Sequence, residues 1–142
     1  NFTSATDSYN TAVGASAGTA VTTGTSNTLI GGQAGDALTD ADNNVAVGRV
    51  ALGADTLGSR STAIGTQALE AQNFTSATNT YNVAVGYNAG AAVTTGVENT
   101  IIGGLAGDAL TTGGRNTVLG YAALSTEDAH GRNVAIGYAT KE

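Results

Sequence analysis

The feature that most constrains this chain is a five-residue word, Asn-x-apolar-apolar-Gly, that recurs from one end to the other. Its glycines are Gly14, Gly31, Gly48, Gly65, Gly86, Gly103, Gly120 and Gly137. Neighbours lie 17 residues apart, except Gly65 and Gly86, which are 21 apart. Four steps span 72 residues, the separation of Gly14 from Gly86 and of Gly65 from Gly137. The 142 residues therefore read as two four-rung cassettes, 1–72 and 73–142, of one continuous repeat structure. Both cassettes open on the same words, Asn1-Phe2-Thr3-Ser4-Ala5-Thr6 and Asn73-Phe74-Thr75-Ser76-Ala77-Thr78. The four extra residues fall there, which predicts a bulging loop on an otherwise regular stack.

Each rung reads alike relative to its glycine. Four positions before it stands Asn (Asn10, Asn27, Asn44, Asn82, Asn99, Asn116, Asn133), with Ser61 in the remaining rung. One position before it stands Val, Ile or Leu in every rung, and three after it stands Ala in seven. A second apolar-then-Thr stretch follows, as in Ala20-Val21-Thr22-Thr23 and Ala109-Leu110-Thr111-Thr112, and Gly24, Gly58, Gly96 and Gly113 close their rungs. Short period-2 runs rich in Val, Ile and Thr favour strands, and no helix-length segment escapes a glycine. Frequent turning demands positive φ, which glycine adopts at little cost. Asn at one corner of every rung can hydrogen-bond to the rungs above and below. Constant-length strand–turn–strand units predict an all-β fold, a parallel β-solenoid or β-roll of eight rungs about 4.8 Å apart. Collagen needs proline and Gly at every third residue, and a helical repeat needs longer periods with fewer glycines. Proline is absent here.

Composition narrows the chemistry. There is no Cys, so no disulfide or thiolate chemistry, and one His and one Lys leave little for acid–base or Schiff-base catalysis. A net charge of −6 argues against nucleic acid as a partner. No apolar run approaches a membrane span and no signal peptide is visible. The chain starts at Asn1 rather than Met, as a processed product or a fragment would. Only 25 Val, Ile and Leu are present, so the core of a single rod is thin. If the residue just before each glycine points inward, the residue two before it (Ala12, Leu29, Ala46, Ala63, Ala84, Ile101, Val118, Ala135) points outward, and that column is also apolar. An apolar outer stripe predicts cover by a second copy of the chain, because identical rods present identical stripes. Rungs without polar caps would leave open sheet edges, a second route to self-association.

Asn44-Val45-Ala46-Val47-Gly48, Ser61-Thr62-Ala63-Ile64-Gly65 and Asn133-Val134-Ala135-Ile136-Gly137 resemble the head repeats of YadA-like trimeric autotransporter adhesins. Residues 82–90, Asn-Val-Ala-Val-Gly-Tyr-Asn-Ala-Gly, are also similar to repeat proteins of phage tail fibres. The resemblance covers all eight rungs. It implies a parallel β-roll, homotrimeric packing, an extracellular setting and a role in surface attachment. The rungs here are longer than the usual head repeat, and no coiled-coil stalk, neck or membrane anchor is present.

Few positions suggest a site. Asn1-Phe2-Thr3 and Asn73-Phe74-Thr75 are N-glycosylation sequons. Tyr87, Tyr121 and Tyr138 each follow a motif glycine, Tyr121 and Tyr138 on adjacent rungs, and could contact a glycan or a partner. Thr22, Thr39, Thr56, Thr94 and Thr111 share one position, where stacked hydroxyls could order water or ice or bond across strands. Asp40, Asp42, Asn43 and Asn44 cluster oxygens, but the second cassette has Thr112, Gly114, Arg115 and Asn116 there, so a solvated turn is expected rather than calcium. Glu98, Arg115 and Arg132 share a position on consecutive rungs and could form an ion-pair ladder. His130 stands where other rungs close on Gly and has no repeated partner for catalysis. No cofactor or metal is implied. The expectation is a non-enzymatic, extracellular structural segment: a rigid spacer or attachment module that associates with itself, with a cell-surface glycan or protein as its receptor. A subunit of a self-assembling, glycosylated filament and an ice-binding solenoid are the alternatives.

Overall fold

The computed structural model describes residues 7–126 and 129–140. Ten short strands form in chain order: β1 (Thr11–Val13), β2 (Thr28–Ile30), β3 (Val45–Val47), β4 (Gly58–Ser59), β5 (Thr62–Ile64), β6 (Thr78–Asn79), β7 (Val83–Val85), β8 (Thr100–Ile102), β9 (Thr117–Leu119) and β10 (Val134–Ile136). Eight of them make one parallel sheet, β1-β2-β3-β5-β7-β8-β9-β10, and the described residues contain no helix. Every pairing in this sheet joins equivalent residues of successive repeats, Val13 to Ile30 to Val47 and so on to Ile136. The chain is a parallel β-solenoid of about seven turns. The two cassettes are continuous, since β5 pairs with β7 across their boundary.

The stretch expected as a second strand is a succession of turns and bends in residues 20–23 and 109–112. Coils still hydrogen-bond to each other there, through single contacts such as Thr22 N to Thr39 O at 3.0 Å and Thr94 N to Thr111 O at 2.8 Å. The corners explain why no strand extends. Three positions per coil take the left-handed conformation, and two of them are never glycine. Five before the motif glycine stand Tyr9, Ser26, Asn43, Arg60, Tyr81, Glu98, Arg115 and Arg132, all with φ between 51 and 67°. Two after it stand residues such as Val50, Gln67 and Leu105, at φ 58, 61 and 58°. Four after it, Gly18, Gly35, Gly90 and Gly107 alternate with Leu52, Leu69 and Leu124. Glycine was expected to supply these turns, and mostly it does not. The cost of about 1–2 kcal/mol per left-handed residue is offset by directing each corner N–H at the neighbouring coil, as in Glu98 N to Thr80 O at 2.7 Å and Leu105 N to Tyr87 O at 2.8 Å.

The motif glycines are required for a different reason. Their φ lies between 128 and 141°, where a side chain is strained. The next coil also passes directly over them: a Cβ on Gly31 would lie 2.5 Å from the Gly48 carbonyl oxygen.

The faces of the sheet are the reverse of the expectation. The residue two before the glycine is the buried one: Leu29, Ala46, Ala63, Ala84, Ile101 and Val118 are at most 1% exposed. Val13, Ile30, Ile64, Ile102, Leu119 and Ile136, one before it, are exposed. The reason is parity. Alternate strand residues share a face, and the Asn four before the glycine is buried, so the residue two after that Asn is buried with it. The interior is completed by the Ala three after the glycine (Ala34 to Ala123), the Leu or Gly four after it, and the column seven after it, Leu38, Val93 and Leu110. The Ala six after the glycine is half-buried or exposed instead.

Large and small residues interlock along this interior. Where the sheet presents Ala46 and Ala63, the facing corner carries Leu52 and Leu69; where it presents Leu29 and Ile101, the corner is Gly35 or Gly107. Coil five has Ala84 and Gly90, and its space is filled from both neighbours: a Cβ on Gly90 would lie 2.9 Å from Ile101 Cδ1 and 3.2 Å from Leu69 Cδ2.

The four extra residues lie between Gln72 and Asn82, as expected. The bulge is pinned at both ends, by buried Phe74 and by pairing of β6 with β4, while Thr75 to Ala77 are exposed. Beneath it the apolar column turns polar. Asp55 and Gln72, both fully buried, occupy the column of Leu38 and Val93. Asp55 accepts hydrogen bonds from Gly58 N (3.0 Å), Phe74 N (3.1 Å) and Gln72 Nε2 (2.6 Å). Gln72 also donates to Ser61 Oγ at 2.8 Å and accepts from Asn82 Nδ2 at 2.8 Å.

Candidate functional site

The Asn ladder is internal and structural. The Oδ1 of Asn10, Asn27, Asn44, Asn82, Asn99 and Asn116 accepts the backbone N–H at the equivalent position one coil on, at 2.8–2.9 Å. The last of these donors is Asn133. The Nδ2 of each donates to the carbonyl fourteen residues later, that of Gly24, Ala41, Gly58, Gly96, Gly113 and His130 in turn. His130 thus serves by its carbonyl, which explains why Gly, Ala and His alternate at that position. At the 21-residue step Ser61 and Thr80 replace the rung, their hydroxyls 2.6 Å apart.

The Thr column is also tied to the coil. Thr22, Thr39 and Thr94 donate their Oγ1 to the carbonyl of Thr39, Thr56 and Thr111, at 3.1–3.2 Å. Thr56 donates instead to Phe74 O at 3.0 Å. The Asp40–Asn44 cluster is spent in the same way: Asp42 Oδ1 accepts Thr25 N at 2.6 Å and Thr25 Oγ1 at 2.9 Å, Asp40 accepts Thr23 Oγ1, and Asn44 is buried in the ladder. Glu98 and Arg115 do form an ion pair, 2.7 Å apart, with both side chains about half exposed. Such a pair contributes little.

Three features remain on the outside. The first is the outer face of the eight-stranded sheet. One column holds Val13, Ile30, Val47, Ile64, Val85, Ile102, Leu119 and Ile136; beside it run Thr11, Thr28, Val45, Thr62, Val83, Thr100, Thr117 and Val134. Ile30, Ile64 and Ile102 are each 39% exposed, and neither column contains a charge. The sequence reading foresaw an apolar outer stripe but placed it one residue away.

The second is the tyrosine column. Tyr121 and Tyr138 stack, with ring centroids 5.6 Å apart and planes 16° from parallel, and Tyr87 stands two coils before Tyr121. At another corner Arg60 lies over the Tyr81 ring, 5.9 Å from its centroid, and bonds Asn79 Oδ1. The third is Asn73, exposed at the start of the bulge with its Oδ1 3.3 Å from Thr56 Oγ1. Asn1 lies outside the described residues.

Among the described residues, no group of three or more His, Asp or Glu side chains could hold a metal ion, and no helix is long and apolar enough to cross a membrane.

No protein-family model, curated protein or solved structure matches this chain. The likeness to adhesin heads and tail-fibre repeats therefore rests on the repeat words, and function must be argued from the outer faces.

Proposed function

We propose that the chain is a rigid, non-enzymatic segment of an extracellular fibre, a spacer or attachment element that packs side by side with copies of itself as a homotrimer. The observation that carries this reading is the uncharged stripe of Val, Ile, Leu and Thr running along all eight strands of the outer sheet face. Stiffness follows from the ladder, since successive coils bond at the strands, at the corners and through the buried Asn column. Eight strands at about 4.8 Å spacing, with a stripe roughly 10 Å wide, give about 350 Å² per chain. Each chain buries the same area whether two or three stripes meet, about 350 Å² against roughly 800 Å² per partner in a standard interface, so the stripe is the apolar centre of a larger contact. The likeness of the repeat words to trimeric adhesin heads supports three copies. The extracellular setting is supported by the similarity of the repeat words to surface fibres.

Sedimentation velocity tests the proposal on the wild type and on an Ile64→Glu/Ile102→Glu double variant. The expected result is a discrete trimer for the wild type, and for the variant a monomer with an unchanged far-ultraviolet spectrum. A monomeric wild type at tens of micromolar would remove the lateral interface. A continuous size distribution with visible filaments would point to end-to-end polymerisation instead.

A further inference from the structure

We propose that Tyr87, Tyr121 and Tyr138 form a binding strip for an uncharged saccharide chain lying along the rod. This names a ligand class for the attachment role above and rests on that part of the reading, not on self-association.

The register places the three rings in one column. Leu105 N bonds Tyr87 O at 2.8 Å, Ala122 N bonds Gly104 O at 2.9 Å and Ala139 N bonds Tyr121 O at 2.9 Å, so the residues after successive motif glycines sit one above another. The tyrosines are 57%, 52% and 79% exposed, beyond the bend that the glycine makes at the end of each strand. The fold does not need them. The first cassette builds the same coils with Ala15, Gly32, Arg49 and Thr66 at the equivalent positions. Aromatic rings placed where small or polar residues suffice serve something outside the coil.

A second copy of the rod is the weaker candidate for that partner. Rod-to-rod packing repeats along both cassettes, as the outer stripe does, whereas the tyrosines are confined to one. The strip is also free of obstructing side chains. Tyr121 and Tyr138 stack with nearly parallel rings. Between Tyr87 and Tyr121 no side chain rises, because the intervening residue is Gly104, whose absent Cβ would sit 3.6 Å from Tyr121 Cδ2 and 3.9 Å from Tyr87 O.

Charge selects the ligand further. The neighbouring outward columns in these coils are Val83, Thr100, Thr117 and Val134, and Val85, Ile102, Leu119 and Ile136, all neutral. Glu98, Arg115 and Arg132 stand at the corner before the strand, and Asp108 follows the next corners. An anionic polymer finds no cationic row here. A neutral pyranose offers a C–H face to pack on an aromatic ring, and hydroxyls that phenol groups can hydrogen-bond.

The test is affinity electrophoresis of the intact protein through gels containing a soluble neutral β-glucan, galactomannan or dextran, with alginate as the anionic comparison. Pull-down on cellulose and chitin covers insoluble chains. Wild type and Tyr81→Ala, a change at the other corner, should be retarded by at least one neutral polysaccharide. The Tyr87→Ala/Tyr121→Ala/Tyr138→Ala variant should lose about tenfold or more of that affinity, with melting temperature and sedimentation unchanged. Failure of every neutral polysaccharide to bind, binding to alginate alone, or undiminished binding by the triple variant would each overturn the proposal. A triple variant that changes oligomeric state without changing retention would also overturn it and assign the tyrosines to rod packing. Wild-type sedimentation on the same samples reports separately on the trimer.

Discussion

Gly103 and Gly104 are adjacent, yet replacing each by alanine should have opposite consequences. Gly103 has φ +133°, and a Cβ built on it would lie 2.6 Å from the carbonyl carbon of Gly120 in the next coil and closer still to its oxygen. The clash is with backbone, so no rotamer relieves it. Gly104 has no positive φ, and its added Cβ would touch the Tyr121 ring at 3.6 Å, an ordinary contact. For Gly103→Ala, an unfavourable backbone conformation costs about 1–3 kcal/mol. Displacing the neighbouring coil weakens the bonds from Gly103 N to Val85 O and from Gly120 N to Ile102 O, both 2.8 Å, at about 1 kcal/mol each. The expected loss is about 3–5 kcal/mol, among the larger effects of single substitutions. Gly104→Ala should be neutral or stabilise by up to about 1 kcal/mol, because alanine restricts the unfolded chain. Urea unfolding followed by circular dichroism gives both values, and amide exchange should place the Gly103→Ala loss in the coils on either side of it. If the two variants unfold within about 0.5 kcal/mol of each other, the close stacking of motif glycines is not what fixes their identity.

Asn99→Ala should cost about 2–4 kcal/mol in the same assay, since it leaves the Asn116 N–H and the Gly113 carbonyl buried without their partners at 2.9 and 3.0 Å; a loss under about 0.5 kcal/mol would mean water replaces the rung. The face assignment is checked by a neighbouring pair in dilute solution. Ala63→Leu overfills a fully buried site and should destabilise by about 1–3 kcal/mol, while Ile64→Thr, on the outer stripe, should change stability by less than about 1 kcal/mol; the reverse order would restore the opposite orientation. Secreted from a host with N-glycosylation machinery, the chain should carry a glycan on exposed Asn73, seen as an intact-mass increment that Asn73→Gln removes; masses that differ only by the added methylene would show that anchoring of Phe74 keeps the sequon from the transferase.

The period, the parallel register, the site of the four extra residues and the Tyr121–Tyr138 stack are legible in the chain. They depend on spacing, and spacing survives any error about which way a side chain points. Orientation does not follow from hydrophobicity alone. Val, Ile or Leu before every glycine looked like core, but a uniformly large column suits the outside, where no volume limits it. The true interior column mixes Leu29, Ala46, Ala63, Ile101 and Val118 because each must fit the corner opposite. Size variation within a repeat column is the signal for the inside here, and it was present in the sequence. The left-handed corners at Arg60, Glu98 and Val50 were not legible, because residue type does not announce positive φ outside glycine and asparagine. They are imposed by the need to bond neighbouring coils.

The buried Asp55–Gln72 pair shows how the regular stack tolerates its one irregular step. A leucine at either position would continue the column of Leu38 and Val93. The bulge, however, brings the N–H groups of Gly58 and Phe74 beneath it, and it removes the Asn rung at Ser61. Those donors are far from solvent, and an apolar column would leave them unpaired at about 1–3 kcal/mol each. One carboxylate takes three donors, and one amide passes the chain of hydrogen bonds from Asp55 to Asn82. The ladder broken at Ser61 is thereby rejoined at Asn82, where the second cassette begins its own rungs. Continuity of the rod across the cassette boundary therefore rests on a polar bridge through the core, set among the apolar columns that hold every regular coil.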